Sequence, residues 1–79
     1  MAIVIYSTSG CPQCVFTKKF LEGKGIPFTE KRIDKDERYR AEVQQIGYQS
    51  LPLIQWDEDK YFAGYQPQKL EELVQEWQH

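Results

Sequence analysis

Two cysteines three positions apart constrain this chain more than any other feature: Cys11-Pro12-Gln13-Cys14 stands between an apolar run and an amphipathic segment. Ahead of them, Ala2-Ile3-Val4-Ile5-Tyr6 is short, rich in β-branched residues and stopped by Ser7-Thr8-Ser9-Gly10, which predicts a buried strand. Behind them, Val15, Phe16, Phe20 and Leu21 recur at helical spacing up to Gly23, which predicts an amphipathic helix. Pro12 suits the first helical position, where a missing N–H costs nothing and φ is already set. Cys11 is then the N-cap, and its sulfur faces the free N–H groups of Gln13 and Cys14.

That placement has chemical consequences. A free thiol is only a few per cent ionised at neutral pH, and the thiolate is the nucleophile. The partial positive charge of a helix start favours the anion. Cys14 lies three residues on, on the same helical face and one turn inward, so it can reach Cys11 while shielded from solvent. Cys11 is thus expected to attack and Cys14 to resolve.

The 79 residues allow one domain, residues 1–79, with a modest core. A net charge of −2 with dispersed Lys and Arg argues against nucleic-acid binding. No apolar run approaches the roughly 20 residues that span a bilayer. Met1 leads directly into the first strand without a basic region or a small-residue cleavage site, so a reducing, cytoplasmic setting is expected. There a close cysteine pair is more often catalytic or metal-binding than a structural staple.

Along the chain, Gly23-Lys24-Gly25 ends the first helix and Phe28–Ile33 reads as a second strand. Its Glu30, Lys31 and Arg32 mark an edge, where charge discourages pairing with other chains. A second helix is expected from Asp34, with Asp34 and Glu37 at capping-box spacing, Tyr39, Val43 and Ile46 on one face, and Gly47 past its end. Leu53–Trp56 and Lys60–Ala63 form a hairpin around Asp57-Glu58-Asp59. Pro67 opens a last helix whose apolar face is Leu70, Leu73, Val74 and Trp77. The order βαβαββα implies an α/β fold with one four-stranded mixed sheet covered by three helices.

A strand running into Cys-x-x-Cys at a helix start, followed by a hairpin that begins at a proline, resembles the thioredoxin-fold redox proteins. The size is similar to the minimal glutaredoxin-like branch, and the motifs within it to the NrdH redoxins. The Cys-Val-Gln-Cys of those redoxins is met by Cys11, Gln13 and Cys14, with Pro12 in place of Val. Thr17, Lys18, Asp34 and Leu51-Pro52 also match, and Phe62-Ala63-Gly64-Tyr65-Gln66-Pro67 echoes the family's Trp-Ser-Gly-Phe-Arg-Pro. Gln66 and Phe62 depart from the pattern, and the family's Arg belongs to a hydrogen-bond network beside the active site.

The resemblance implies a thiol-disulfide oxidoreductase with a Cys11–Cys14 redox disulfide and no bound cofactor. Electrons would come from NADPH through thioredoxin reductase, and the client would be a class Ib ribonucleotide reductase or another disulfide-bearing protein. It further implies a monomer, a cis Leu51–Pro52 bond facing the cysteines, and client contacts at Thr8, Pro12, Gln13, Leu51, Pro52, Gly64 and Tyr65. Lys18, four residues after Cys14, is placed to modulate the sulfurs or to be an ordinary surface lysine. Tyr65 and Phe62 are candidates for an apolar docking rim.

Two alternatives remain. Glutathione-using relatives carry a cation before the first cysteine, an aromatic residue between the two, and Gly-Gly plus an acid in the last loop. Ser7–Gly10, Gln13 and Gly64–Pro67 offer none of these, which removes charge-assisted contacts worth about 1.5–3 kcal/mol each. The other alternative is non-enzymatic binding of zinc or an iron–sulfur cluster by the pair in a dimer. A structural zinc wants four ligands, and one chain supplies two cysteines and a lone His79, so no metal residues are assigned.

Overall fold

The computed structural model describes residues 2–78; Met1 and His79, both invoked above, lie outside the described residues. The elements run β1 (Val4–Ser7), α1 (Pro12–Gly23), β2 (Thr29–Arg32), α2 (Glu37–Ile46), β3 (Leu53–Asp57), β4 (Lys60–Ala63) and α3 (Pro67–Trp77). The strands form one sheet in the order β2-β1-β3-β4. β1 is parallel to β2 and antiparallel to β3, and β3 is antiparallel to β4. This is the mixed four-stranded sheet with three helices that the sequence predicts.

The pleat of β1 assigns the two faces, because successive side chains point to opposite sides. Ile3 and Ile5 join Leu21, Ile26, Ile54, Phe62, Leu70, Leu73 and Val74 in the larger core, under α1 and α3. Tyr6 joins Val43 and Leu53 in a smaller one under α2, flanked by Tyr39 and Ile46. Both cores are apolar at their centres, and removing roughly 25 cal/mol per Å² of apolar surface from water is what holds the layers together. β2 is an edge strand, as its charges require, and its side chains also divide by face. Glu30 stands opposite Ile5 and Arg32 opposite Ser7, on the α1 side, whereas Lys31 stands opposite Tyr6 on the α2 side.

Four local expectations need correction, the first being that Trp77, placed by spacing on the apolar face of α3, is 38 % exposed while Leu70, Leu73 and Val74 are buried. The N-cap of α2 is Asp36, whose carboxylate accepts from the Arg38 N–H at 2.9 Å, and not Asp34. Asp34 is engaged instead by Arg32, through two hydrogen bonds of 2.9 and 2.8 Å. In α1 the buried residues are Cys14, Thr17 and Leu21, while Val15 and Phe16 are 42 % and 54 % exposed. Helical spacing alone could not choose between the two faces. Lastly, Asp57 pairs with Lys60 beyond a bulge, so the hairpin loop is Glu58-Asp59. Gly47 does end α2, with φ +94°, a conformation open to glycine at no steric cost.

Candidate active site

The β1–α1 loop delivers Cys11 to the start of α1, with Pro12 at the first helical position and Cys11 in extended backbone as the N-cap. Its Sγ accepts a hydrogen bond from the Cys14 N–H at 3.2 Å. The N–H of Gln13, the other donor expected, is not among the bonds to this sulfur. Cys11 is half-buried and Cys14 is 1 % exposed; both are free thiols. The pair therefore has an outside and an inside member, as the helical geometry demands.

Burial pushes the Cys14 thiol up to about 12, with the hydrogen bond to Cys11 adding to the effect. The Thr8 backbone and the Lys18 charge act in the opposite direction, and do not overcome it. Cys14 is thus held as a thiol at neutral pH, with groups already in place that favour its anion when that is needed. Lys18 itself is half-buried and donates to Glu30 Oε2 at 2.7 Å. It is neither a free surface lysine nor a direct ligand of either sulfur, but a cation fixed within reach of Cys14.

Two further loops are tied to the start of α1. Leu51–Pro52 is cis, Pro52 is buried, and the Pro52 carbonyl accepts from the Gly64 N–H at 2.8 Å. Gly64 has φ +85°, and a Cβ there would stand 3.5 Å from Gln13 Oε1. The same Gln13 oxygen accepts from the Tyr65 N–H at 3.0 Å, joining residues 52 positions apart. Gln13 thus fastens the start of α1 to the turn after β4, which is itself fastened to the proline loop. Tyr65 then lies against Phe16, with ring centroids 5.9 Å apart.

The apolar rim differs from the one expected. Phe62 is 5 % exposed and packs on Trp56 inside the larger core, so it is not part of the surface. Phe16, assigned to the buried face by its spacing, takes that place beside Tyr65. A residue one position from the buried stripe of a helix and adjacent to a reactive centre was the available signal. Gln66, standing where the resembling family has Arg, bonds locally, its Nε2 donating to the Ala63 carbonyl at 2.6 Å. Sequence reasoning also passed over Ser7, Ser9 and Arg32, which surround the loop bearing Cys11. Among the described residues, no group of three or more His, Cys, Asp or Glu side chains gathers as a metal would require.

The glutaredoxin family model matches residues 3–60. The chain belongs to the glutaredoxin family. Within that family it is similar to the glutaredoxin-like protein NrdH of Lactococcus lactis subsp. cremoris, at 34 % identity over 91 % of this chain and 99 % of that one. It is also similar to a glutaredoxin of Pseudomonas aeruginosa, at 35 % identity over 78 % of this chain and 74 % of the other. Among solved structures, the Escherichia coli NrdH-redoxin, described as having a thioredoxin-like activity profile, superposes with a TM-score of 0.85 at 27 % identity. That superposition covers 92 % of this chain and 95 % of the other. The glutaredoxin fold and the likeness to NrdH redoxins expected from the Cys-x-x-Cys, Leu-Pro and Gly-aromatic-x-Pro segments are both found. The chain is a member of a family of thiol-disulfide oxidoreductases.

Proposed function

We propose that this glutaredoxin reduces protein disulfides as a dithiol carrier and is recharged from NADPH by a thioredoxin reductase. The observation that carries the reading is the asymmetry of the pair: a half-exposed Cys11 at a helix start over a buried Cys14 held as a thiol. In the first step the Cys11 thiolate attacks one sulfur of a client disulfide. A Cys11–client bond forms, and the other client sulfur leaves with the bonding pair and takes up a proton. In the second step Cys14 loses its proton to solvent and its sulfur attacks Cys11 Sγ. The mixed disulfide breaks, the second client sulfur leaves as thiolate, and Cys11–Cys14 is the oxidised product.

Client recognition follows from the rim. Phe16 and Tyr65 offer an exposed apolar contact, and the cis Leu51–Pro52 loop is tied to the turn that carries Tyr65 through the Gly64 N–H. An extended client segment would lie along the Leu51 backbone, in strand-to-strand fashion, while its disulfide meets Cys11. By resemblance to the NrdH redoxins, a class Ib ribonucleotide reductase is the client we propose, in a reducing cytoplasm and with a monomeric carrier.

Glutathione is disfavoured as the reductant by the absence of a cation in Ser7–Gly10 and by the Tyr65 N–H, a donor already taken by Gln13. The decisive experiment follows NADPH oxidation with insulin as the disulfide substrate, using either thioredoxin reductase or glutathione with its own reductase. Turnover with thioredoxin reductase alone is expected. Turnover only in the glutathione arm would reverse the assignment.

A further inference from the structure

Of the two residues between the cysteines, Pro12 has its φ fixed by its ring, and Gln13 is held at both ends. The Gln13 carbonyl accepts from the Thr17 hydroxyl at 2.9 Å, and Thr17 is buried in α1. The Gln13 side-chain oxygen accepts from the Tyr65 N–H at 3.0 Å. Two further links lead on from that turn. The Tyr65 ring lies against Phe16, with centroids 5.9 Å apart, and the Gly64 N–H donates to the Pro52 carbonyl at 2.8 Å. A continuous path of bonds and packing thus joins the cysteine motif to the aromatic rim and to the proline loop. All of it is formed with both cysteines as free thiols and the Cys14 N–H given to Cys11 Sγ at 3.2 Å.

We infer that Gln13 is a redox-coupled latch, holding the Tyr65 turn while the cysteines are thiols and releasing it when they join. Coupling between sites needs an element with two discrete arrangements, and a Cys-x-x-Cys pair has them by covalent chemistry. The oxidant is the client disulfide, which leaves as two thiols while Cys11 and Cys14 give up two electrons and two protons. Their sulfurs are thereby drawn together to about 2 Å. The ring that closes contains Pro12, which cannot turn about its φ, so the adjustment falls on the remaining torsions, those of Gln13 among them. Thr17 ties the Gln13 carbonyl to α1, so a rotation of Gln13 is expressed at its other end, the side-chain oxygen. A hydrogen bond weakens steeply once its angle is lost. With the latch open the Tyr65 N–H turns to solvent, and the rim loosens from a client that has just been reduced. The coupling is reciprocal: the bond that the dithiol favours also favours the dithiol.

This inference rests on the dithiol reading and is tested so that the two can fail apart. The full chain is prepared reduced with dithiothreitol and oxidised with diamide, and each form is weighed by mass spectrometry. If oxidation does not remove two hydrogens from a single chain, the dithiol reading itself falls. With the internal disulfide formed, amide hydrogen exchange is followed residue by residue by NMR in both states. Exchange at Tyr65 is expected to be about five-fold faster in the disulfide form, the order of one lost hydrogen bond, with the Ile54 amide in β3 unchanged. In Gln13→Leu, Tyr65 is expected to exchange fast in both states. The same variant's equilibrium with reduced and oxidised dithiothreitol moves about five-fold toward the protein disulfide, because the dithiol has lost a bond of its own. Gln13→Glu keeps an acceptor and is expected to keep the difference between the states. Equal protection of Tyr65 in both forms of the unmodified chain would overturn the proposal. So would a difference that survives Gln13→Leu, or an unmoved equilibrium in that variant.

Discussion

The two faces of the sheet use similar residues to opposite ends. On the α2 side, Tyr6, Lys31 and Glu42 satisfy one another: the Tyr6 hydroxyl donates to Glu42 Oε1 at 2.7 Å and Lys31 donates to the same oxygen at 3.1 Å. Lys31 also lies over the Tyr6 and Tyr39 rings, at 5.5 and 5.4 Å from their centroids. Burial, with the Glu42 hydrogen bond behind it, pushes the Tyr6 hydroxyl well above its ordinary value, so it stays a neutral donor. Among the described residues no buried side-chain nitrogen or oxygen is left without a partner. At the redox end the partners are also internal, but they converge on a group left open. Gln13 is bonded to Tyr65, Pro52 to Gly64 and Ser9 to Arg32, and Cys11 is the member with an outward side. Satisfied polar groups make a support; a reactive site arises where the support stops one atom short.

The comparison can be broken most forcefully at the sulfurs. Cys11→Ser is expected to reduce insulin turnover to background, whereas Cys14→Ser should accumulate a mixed disulfide with the client, visible as a mass adduct that dithiothreitol removes. A smaller effect is expected at Gln13. Gln13→Leu leaves the Tyr65 N–H without its acceptor and frees the turn that carries the aromatic rim, raising KM for the protein disulfide about five-fold. Gln13→Glu keeps an acceptor and should keep the lower KM; equal KM values for the two variants would show that the bond does not order the rim.

On the opposite face, Tyr6→Phe is expected to lower stability by about 1 kcal/mol, or roughly 4–8 °C in Tm, and leave the NADPH-coupled rate unchanged. A loss of rate with no loss of Tm would erase the distinction between the faces. The smallest effect is shared by both. Hydrogen bonds from Lys18 and Ser7 outweigh burial at Glu30, those from Tyr6 and Lys31 act at Glu42, and those from Arg32 and Ser9 at Asp34, and each carboxyl is held below its ordinary value. A depressed carboxyl stabilises the fold fully above its unfolded value, near 4.5 for Glu and 3.8 for Asp, and loses that contribution as pH falls through the folded value. Stability measured by urea titration should therefore be flat from pH 7 to about 5 and decline below about 4, with Glu42→Gln shallower than the unmodified chain.

Most of the architecture was legible because it rests on local chemistry. Pro12 and Pro67 start helices, Gly47 ends one, and the charges of Glu30–Arg32 mark an edge. Cys11 as N-cap over a shielded Cys14 follows from spacing alone. Other features were illegible because they depend on distant partners. Asp34 looked like a cap because Glu37 follows at the right interval, yet Arg32 and Ser9 outcompete the helix start for its carboxylate. Phe16 and Phe62 exchange roles because an apolar residue reads alike whether it fills the core or rims a site. The bond from Tyr65 to Gln13 crosses 52 residues and has no trace in either local sequence.

The asymmetry of the two cysteines is the centre of this account, and alkylation tests it without any client or reductase. The fully reduced chain is treated with limiting iodoacetamide at pH 7, and the modified sulfur is located by peptide mass mapping. One carbamidomethyl group on Cys11, with Cys14 labelled only after unfolding, is the predicted result. Label arriving first on Cys14, or equally on both, would contradict it.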